Sequence, residues 1–200
     1  MNIAEVKEVF NKMTQVIEEN KKHLQELDTA IGDGDHGFNL NRGMQKANED
    51  IQNTEFADLK ALFSKVAMDF ISTIGGASGP LYGTFFMRLA PVFDGKEEIT
   101  REAFNEAFQK GLEGVKQRGG AKVGDKTMVD VLEPVSQALQ EGKSLNEVAE
   151  VAKEKMEATK DYQAKKGRAY YLGERSIGHI DPGACSSCLL IQTFCQEVEA

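Results

Sequence analysis

Positive charge is what this sequence of 200 residues is short of: 24 lysines and arginines stand against 32 aspartates and glutamates, for a formal net charge of -8. Broad binding to nucleic acid or to an anionic membrane is excluded on that balance, because both need a surplus of Lys and Arg to replace released counterions. An acidic chain that holds a polyphosphate must bring in metal ions or local cations instead. Long apolar runs are missing too: none approaches the ~20 residues of a membrane span. The opening Met1-Asn2-Ile3-Ala4-Glu5-Val6-Lys7 has neither the basic nor the apolar region of a secretory signal, so a cytoplasmic location is expected. Cysteine is scarce and confined to the end. Cys185, Cys188 and Cys195 are an odd set that builds no disulfide framework. Cys185 and Cys188 form C-x-x-C, but no second pair completes a zinc site, and the apolar run through Leu189, Leu190, Ile191 and Phe194 predicts buried structural thiols at the start of a helix.

Only four prolines interrupt the chain, and no alternating run bounded by turn signals reads as a strand. Helix-period patterns take their place. Ile3, Val6, Phe10, Met13, Ile17, Leu24 and Leu27 form one apolar stripe, and comparable segments follow at 37–50, 56–74, 80–92, 100–116, 126–141, 145–160 and 184–198. The expectation is therefore an all-α fold of eight helices. Hydrophobic residues at 40 % together with 19 glycines match a globular composition, and the length suits one core, so residues 1–200 are expected to form a single domain. Short connections make consecutive helices antiparallel, as in an up-and-down bundle or barrel.

Glycine and charge concentrate at 28–37, 75–83, 118–127 and 167–183, about one or two helices apart. Alternate connections of an antiparallel bundle lie at the same end, so these segments can meet at one rim. Gly32-Asp33-Gly34-Asp35-His36-Gly37 fits the letters G-x-G-x-x-G, but a long helix precedes it where a dinucleotide fingerprint needs a strand. Two of its variable positions are aspartates, which repel a pyrophosphate unless a divalent cation lies between. With Asp28 they offer three hard oxygen ligands suited to magnesium. An EF-hand fails on register, since Phe38 falls on the obligatory glycine. The plainer reading is that Asp28 and Asp35 cap helices and the glycines make a turn. His36 is either a polar helix end or an imidazole N–H donor to phosphate.

Ile74 to Gly83 leads small residues into an apolar helix, leaving backbone N–H groups and the Ser78 hydroxyl open near a positive helix end; a tight interhelix turn is the alternative. Gly119 to Thr127 looks like a Walker A loop but fails as one, because Asp125 separates Gly124 from Lys126-Thr127 and no strand feeds the turn. It offers Gly119 for close approach of a flat ring, Lys126 as a helix-start cation and Met128 as an adaptable contact or a core residue. In the long irregular 167–183 segment, Arg168 and Arg175 can bind phosphate or pair with nearby acids, and His179 reads as a satisfied loop histidine. The charged stretch Lys153 to Lys166 reads as a solvated helix face.

Together Leu27-Asp28 with Ile31 to Gly37, Gly75 to Phe86, Gly124 to Thr127, and Gly167 to Ala184 resemble the L subunit of bacterial phosphoenolpyruvate-dependent dihydroxyacetone kinases and the equivalent domain of ATP-dependent forms, across essentially the whole chain. The resemblance implies an eight-helix antiparallel up-and-down barrel with a nucleotide and two magnesium ions in loops at one end. It implies Asp28, Asp33 and Asp35 as metal ligands, His36, Asn39 and Ser78 as phosphate contacts, and Ala77, Gly119, Met128, Arg168, Asp181 and Gly183 as further nucleotide contacts. It also implies that ADP stays bound, receives a phosphoryl group from a phosphohistidine of an M subunit, and passes it as ATP to dihydroxyacetone on a K subunit. No catalytic side chain is expected here. Two alternatives stand beside it: a kinase subunit with exchangeable ATP, and a nucleotide-responsive module for a transcription regulator.

Overall fold

A computed structural model describes residues 1–199 of the chain. Among them are eight α-helices: α1 Ile3–Ile31, α2 His36–Gln52, α3 Leu59–Thr73, α4 Ser78–Leu89, α5 Arg101–Gly119, α6 Val129–Gln140, α7 Leu145–Ala158 and α8 Pro182–Glu199. No strand occurs among the described residues; Asn2 and Glu98 form one isolated bridge. No helix there is long and apolar enough to cross a membrane.

Local chemistry sets the helix starts. Asn2 and Glu5 close a capping box on α1, Ser144 and Glu147 do the same on α7, and the side chains of Asp58 and Thr100 accept N–H bonds from Ala61 and Ala103. Each such cap satisfies donors that the first turn leaves open and contributes about 1 kcal/mol. At the far end of α5, Gly120 supplies the left-handed turn that stops the helix.

Each helix packs on the next in the chain, and α8 packs back on α1, so the ring closes as a barrel. Apolar stripes face inward. Phe10, Phe70 and Phe86 make tilted and edge contacts with centroids 5.4–6.5 Å apart, Phe63 joins Phe86 and Phe93, and Phe104 stacks on Phe194 at 4.4 Å. An apolar space of about 140 Å³ remains among these rings. Three helix pairs come close because the wall is glycine where they touch. A Cβ would overlap the Lys21 carbonyl oxygen at Gly37, the Ile71 side chain at Gly83, and Phe85 and Arg88 at Gly111 and Gly114.

Two stretches depart from the helix pattern expected. Lys126 has φ 63°, a left-handed conformation that breaks a helix, so α6 begins at Val129 rather than at 126. Charged residues 159–166 do not continue α7: it ends at Ala158, a 3-10 turn covers Thr159–Asp161, and the Thr159 hydroxyl turns back on the Met156 carbonyl.

The alternation of directions puts the ends of α1, α3, α5 and α7 beside the starts of α2, α4, α6 and α8. All four glycine-rich segments therefore lie at that end.

Candidate functional site

Side-chain contacts tie the four segments together. The Arg168 guanidinium pairs with Asp33 at 2.8 Å, bringing the 167–181 segment onto the acidic loop. A Cβ at Gly76 would stand 3.8 Å from an Asp35 carboxylate oxygen, and one at Gly75 3.0 Å from Asn39 Nδ2, so the start of α4 lies against that loop as well. Gly183 lies against the Met128 backbone, and Gly119 against Leu81. The four helix starts meet on one rim. Their dipoles make it favourable to anions although few basic side chains are present. At α4 no N-cap side chain takes up the first-turn donors, whereas Asp28 takes the first N–H of α2 and the Thr127 hydroxyl that of α6.

The carboxylates of Asp28, Asp33 and Asp35 offer oxygens that all lie within 4.8 Å of one another. Asp28 sits buried in the last turn of α1, where its Oδ2 accepts the backbone N–H groups of Asp35 at 2.8 Å and His36 at 3.1 Å. The capping role expected of Asp28 is thus real, but it is exerted on α2 across the turn. Asp35 occupies the N-cap position of α2 without a side-chain cap bond, which leaves its carboxylate open. Gly34, at φ 72°, lets the chain reverse between the two outer aspartates. The donor set fits a hard divalent cation: three carboxylates from one short segment, two of them reaching solvent. Arg168 meanwhile offsets part of the charge from a side chain 68 % exposed, a position where an ion pair contributes at most about 1 kcal/mol.

His36 is buried, and desolvation pushes its imidazole down to about 4 against the pull of Asp28, so the ring is neutral at physiological pH. Its Nε2 lies 2.9 Å from Ser186 Oγ, which in turn contacts Tyr82 OH at 2.7 Å. Burial pushes the Tyr82 phenol up to about 12. Asn39 Oδ1 accepts from Arg42 at 3.0 Å. Ala77 is exposed at the α4 start, and the Ser78 hydroxyl, partly buried, donates to the Gly75 carbonyl at 3.3 Å.

The other predicted residues lie deeper. Met128 is buried, and Asp181 caps α8, its Oδ2 accepting the Ala184 N–H at 2.7 Å. Lys126, expected as a cation at a helix start, is instead buried and donates to the carbonyls of Thr159 and His179, pinning the 159–179 stretch to the α6 start. Asp130 accepts the N–H groups of Gly124 and Thr127 at 2.5 and 2.7 Å and fixes the same turn. Sequence reasoning assigned nothing to Asp130, Tyr82 or Ser186. The signal for Ser186 and Ser187 was two hydroxyls on an otherwise apolar helix.

Residues 30–196 match the DAK2 domain family. The chain is 47 % identical over 187 residues to the ADP-binding subunit DhaL of PEP-dependent dihydroxyacetone kinase 1 of Listeria innocua, covering 94 % of this chain and 92 % of that one. It is 43 % identical over 192 residues to the ADP-binding subunit DhaL of the PTS-dependent enzyme of Lactococcus lactis, with 96 % and 95 % covered. Against the PEP-dependent DhaL of Escherichia coli K12 the identity is 39 % over 196 residues, with 92 % and 93 % covered. The crystal structure of the dihydroxyacetone kinase from C. freundii in complex with AMP-PNP and Mg2+ superposes with a TM-score of 0.77 at 26 % identity, over 96 % of this chain but only 34 % of that one.

Proposed function

The chain belongs to the DAK2 domain family, and from that membership we propose that it is the ADP-holding phosphotransferase subunit of a phosphoenolpyruvate-dependent dihydroxyacetone kinase. The relatives it covers almost end to end carry ADP-binding subunit names, which supports a subunit over a complete kinase. When bound, the nucleotide is the carrier on which a phosphoryl group travels from a phosphohistidine of an M subunit to dihydroxyacetone held by a K subunit in the cytoplasm. Magnesium, as two ions held by Asp28, Asp33 and Asp35, supplies the positive charge that an acidic chain lacks around the phosphates.

The protein's own part is to bind, orient and screen. Backbone N–H groups at the α2 and α4 starts, with His36, Asn39, Ala77 and Ser78, grip the phosphates. Gly119 and Met128 flank the base, and Arg168, Asp181 and Gly183 close the site from the last connection. No side chain of this subunit is assigned as a general base; the work is charge neutralisation and alignment.

One observation carries the reading: three clustered carboxylates and four helix starts share one rim, a pairing that suits a metal-bound polyphosphate and little else. Purified protein is expected to keep one equivalent of ADP through gel filtration. Asp33→Ala should lose metal-dependent retention while its far-ultraviolet circular dichroism stays helical. ADP retained unchanged by that variant overturns the ligand assignment. Phosphoryl transfer reconstituted with K and M subunits separates this function from nucleotide sensing for a transcription regulator, and full activity with free ATP and K subunit alone would favour an exchanging kinase.

A further inference from the structure

A buried chain of hydroxyls runs behind the acidic loop. Ser187 Oγ lies 3.1 Å from Tyr82 OH, Tyr82 OH 2.7 Å from Ser186 Oγ, and Ser186 Oγ 2.9 Å from His36 Nε2 and 3.1 Å from the Gly183 carbonyl. All four side chains are buried, so water is not the default partner for any of them. Three of the four rim segments meet in this chain: His36 from the acidic loop, Tyr82 from the α4 start, and Ser186 from the first turns of α8.

Proton bookkeeping then decides the direction of each bond. A serine hydroxyl has one proton and two lone pairs. Gly183 offers only a carbonyl oxygen, so the contact to it takes the Ser186 proton. The two remaining partners must donate: Tyr82 through its O–H and His36 through Nε2–H. Ser187 is then free to donate to the Tyr82 oxygen, and no hydroxyl in the chain faces another without a proton between them. The reverse arrangement, with Ser186 donating to the ring, leaves the 3.1 Å contact to Gly183 as two bare oxygens.

We propose that Ser186 is a positioning residue that fixes Nε2 of His36 as the proton donor of the ring, with Tyr82 holding Ser186 from behind. In the neutral ring Nδ1 then carries the lone pair. Any ligand group that reaches Nδ1 must be a donor or a metal ion, and a bare phosphate oxygen is not accepted there. His36 therefore contributes to the phosphate grip through its place as a wedge between α2, α4 and α8, its backbone N–H being already donated to Asp28. The functional half of this inference rests on the nucleotide reading; the tautomer itself does not.

The test is two-bond proton–nitrogen correlation on protein labelled with 15N-histidine, near neutral pH, without nucleotide. The chain has three histidines, and His36→Gln identifies the resonance concerned. The expected spectrum shows a pyrrole-type Nε2 and a pyridine-type Nδ1, with Ser186→Ala moving the ring to a mixture and Ser186→Thr restoring the single form. A protonated Nδ1 in the unaltered protein, or a tautomer untouched by Ser186→Ala, overturns the proposal. In the same variants ADP retention should weaken about 10- to 100-fold for Ser186→Ala, the usual cost of removing a support behind a ligand-holding group, and recover for Ser186→Thr. Retention unchanged while the tautomer shifts removes the positioning role. An unaltered protein that holds no ADP counts against the nucleotide reading alone, and the tautomer still decides this one.

Discussion

Asp181 shows how much one buried side chain can carry. Desolvation pushes its carboxyl up to about 7, with Asp130 and Asp28 adding to the rise and the Ala184 N–H and Lys126 opposing it. The folded protein thus holds a proton that the unfolded chain releases near 3.8. Its stability contribution is complete below that value and is lost as pH rises toward about 7. Asp181→Asn keeps an oxygen for the Ala184 N–H and removes the titration. In urea melts the unaltered protein should lose stability relative to this variant between about pH 4 and 7, and parallel profiles would disprove the assignment. Residue identity alone did not disclose this. Asp181 was expected as a nucleotide contact, and its cap on α8 depends on a backbone direction that spacing does not specify. Lys126 is the sharper case: its position suggested a cation at a helix start, but a left-handed backbone and two carbonyls turn it into an internal pin. By contrast Asp28, Asp33 and Asp35 were legible, because three carboxylates in eight residues around glycines form a local pattern that no distant contact has to complete.

Helices were the most legible elements, since an apolar stripe at helical period is a property of one segment. Their ends were less so. The α1 helix runs on to Ile31 because Asp28 is drawn inward to serve α2, and α7 stops at Ala158 because Thr159 is held by its hydroxyl on Met156 and its carbonyl on Lys126. The α8 helix illustrates the opposite balance. Its three cysteines were expected as core thiols, and all three are buried without disulfides. Burial pushes Cys185 up to about 11 and Cys188 up to about 12, so neither offers a thiolate at neutral pH. A thiol reagent such as iodoacetamide should label neither in the folded protein and both in guanidinium chloride. Rapid labelling of either under native conditions would mean that α8 opens far more readily than its packing on α1 and α7 allows.

For the molecule as a whole, the proposed site exists only when the ring is closed, because Asp33, Ser78, Met128 and Gly183 lie at four separate helix junctions. A ligand bound at the rim must therefore stabilise every helix at once. With ADP and magnesium at about 100 times the dissociation constant, folding should gain about 2.7 kcal/mol. Thermal melting should rise in one cooperative step and fall again on adding a chelator. A melt that splits into two transitions on metal removal would show that the rim and the rest of the barrel unfold separately.

The wall that holds this rim together has a hereditary side. Gly37, Gly83, Gly111 and Gly114 mark places where one helix backbone or side chain occupies the volume a β-carbon would fill. Glycine is the smallest residue, so every missense change at these codons is an enlargement, and none can be offset by shrinking the mutated residue further. Drift in this protein is thereby pushed to its outer faces. The four glycines behave as one-way positions, easily lost and regained only by returning to glycine or, at Gly83, Gly111 and Gly114, by trimming the side chain across the seam.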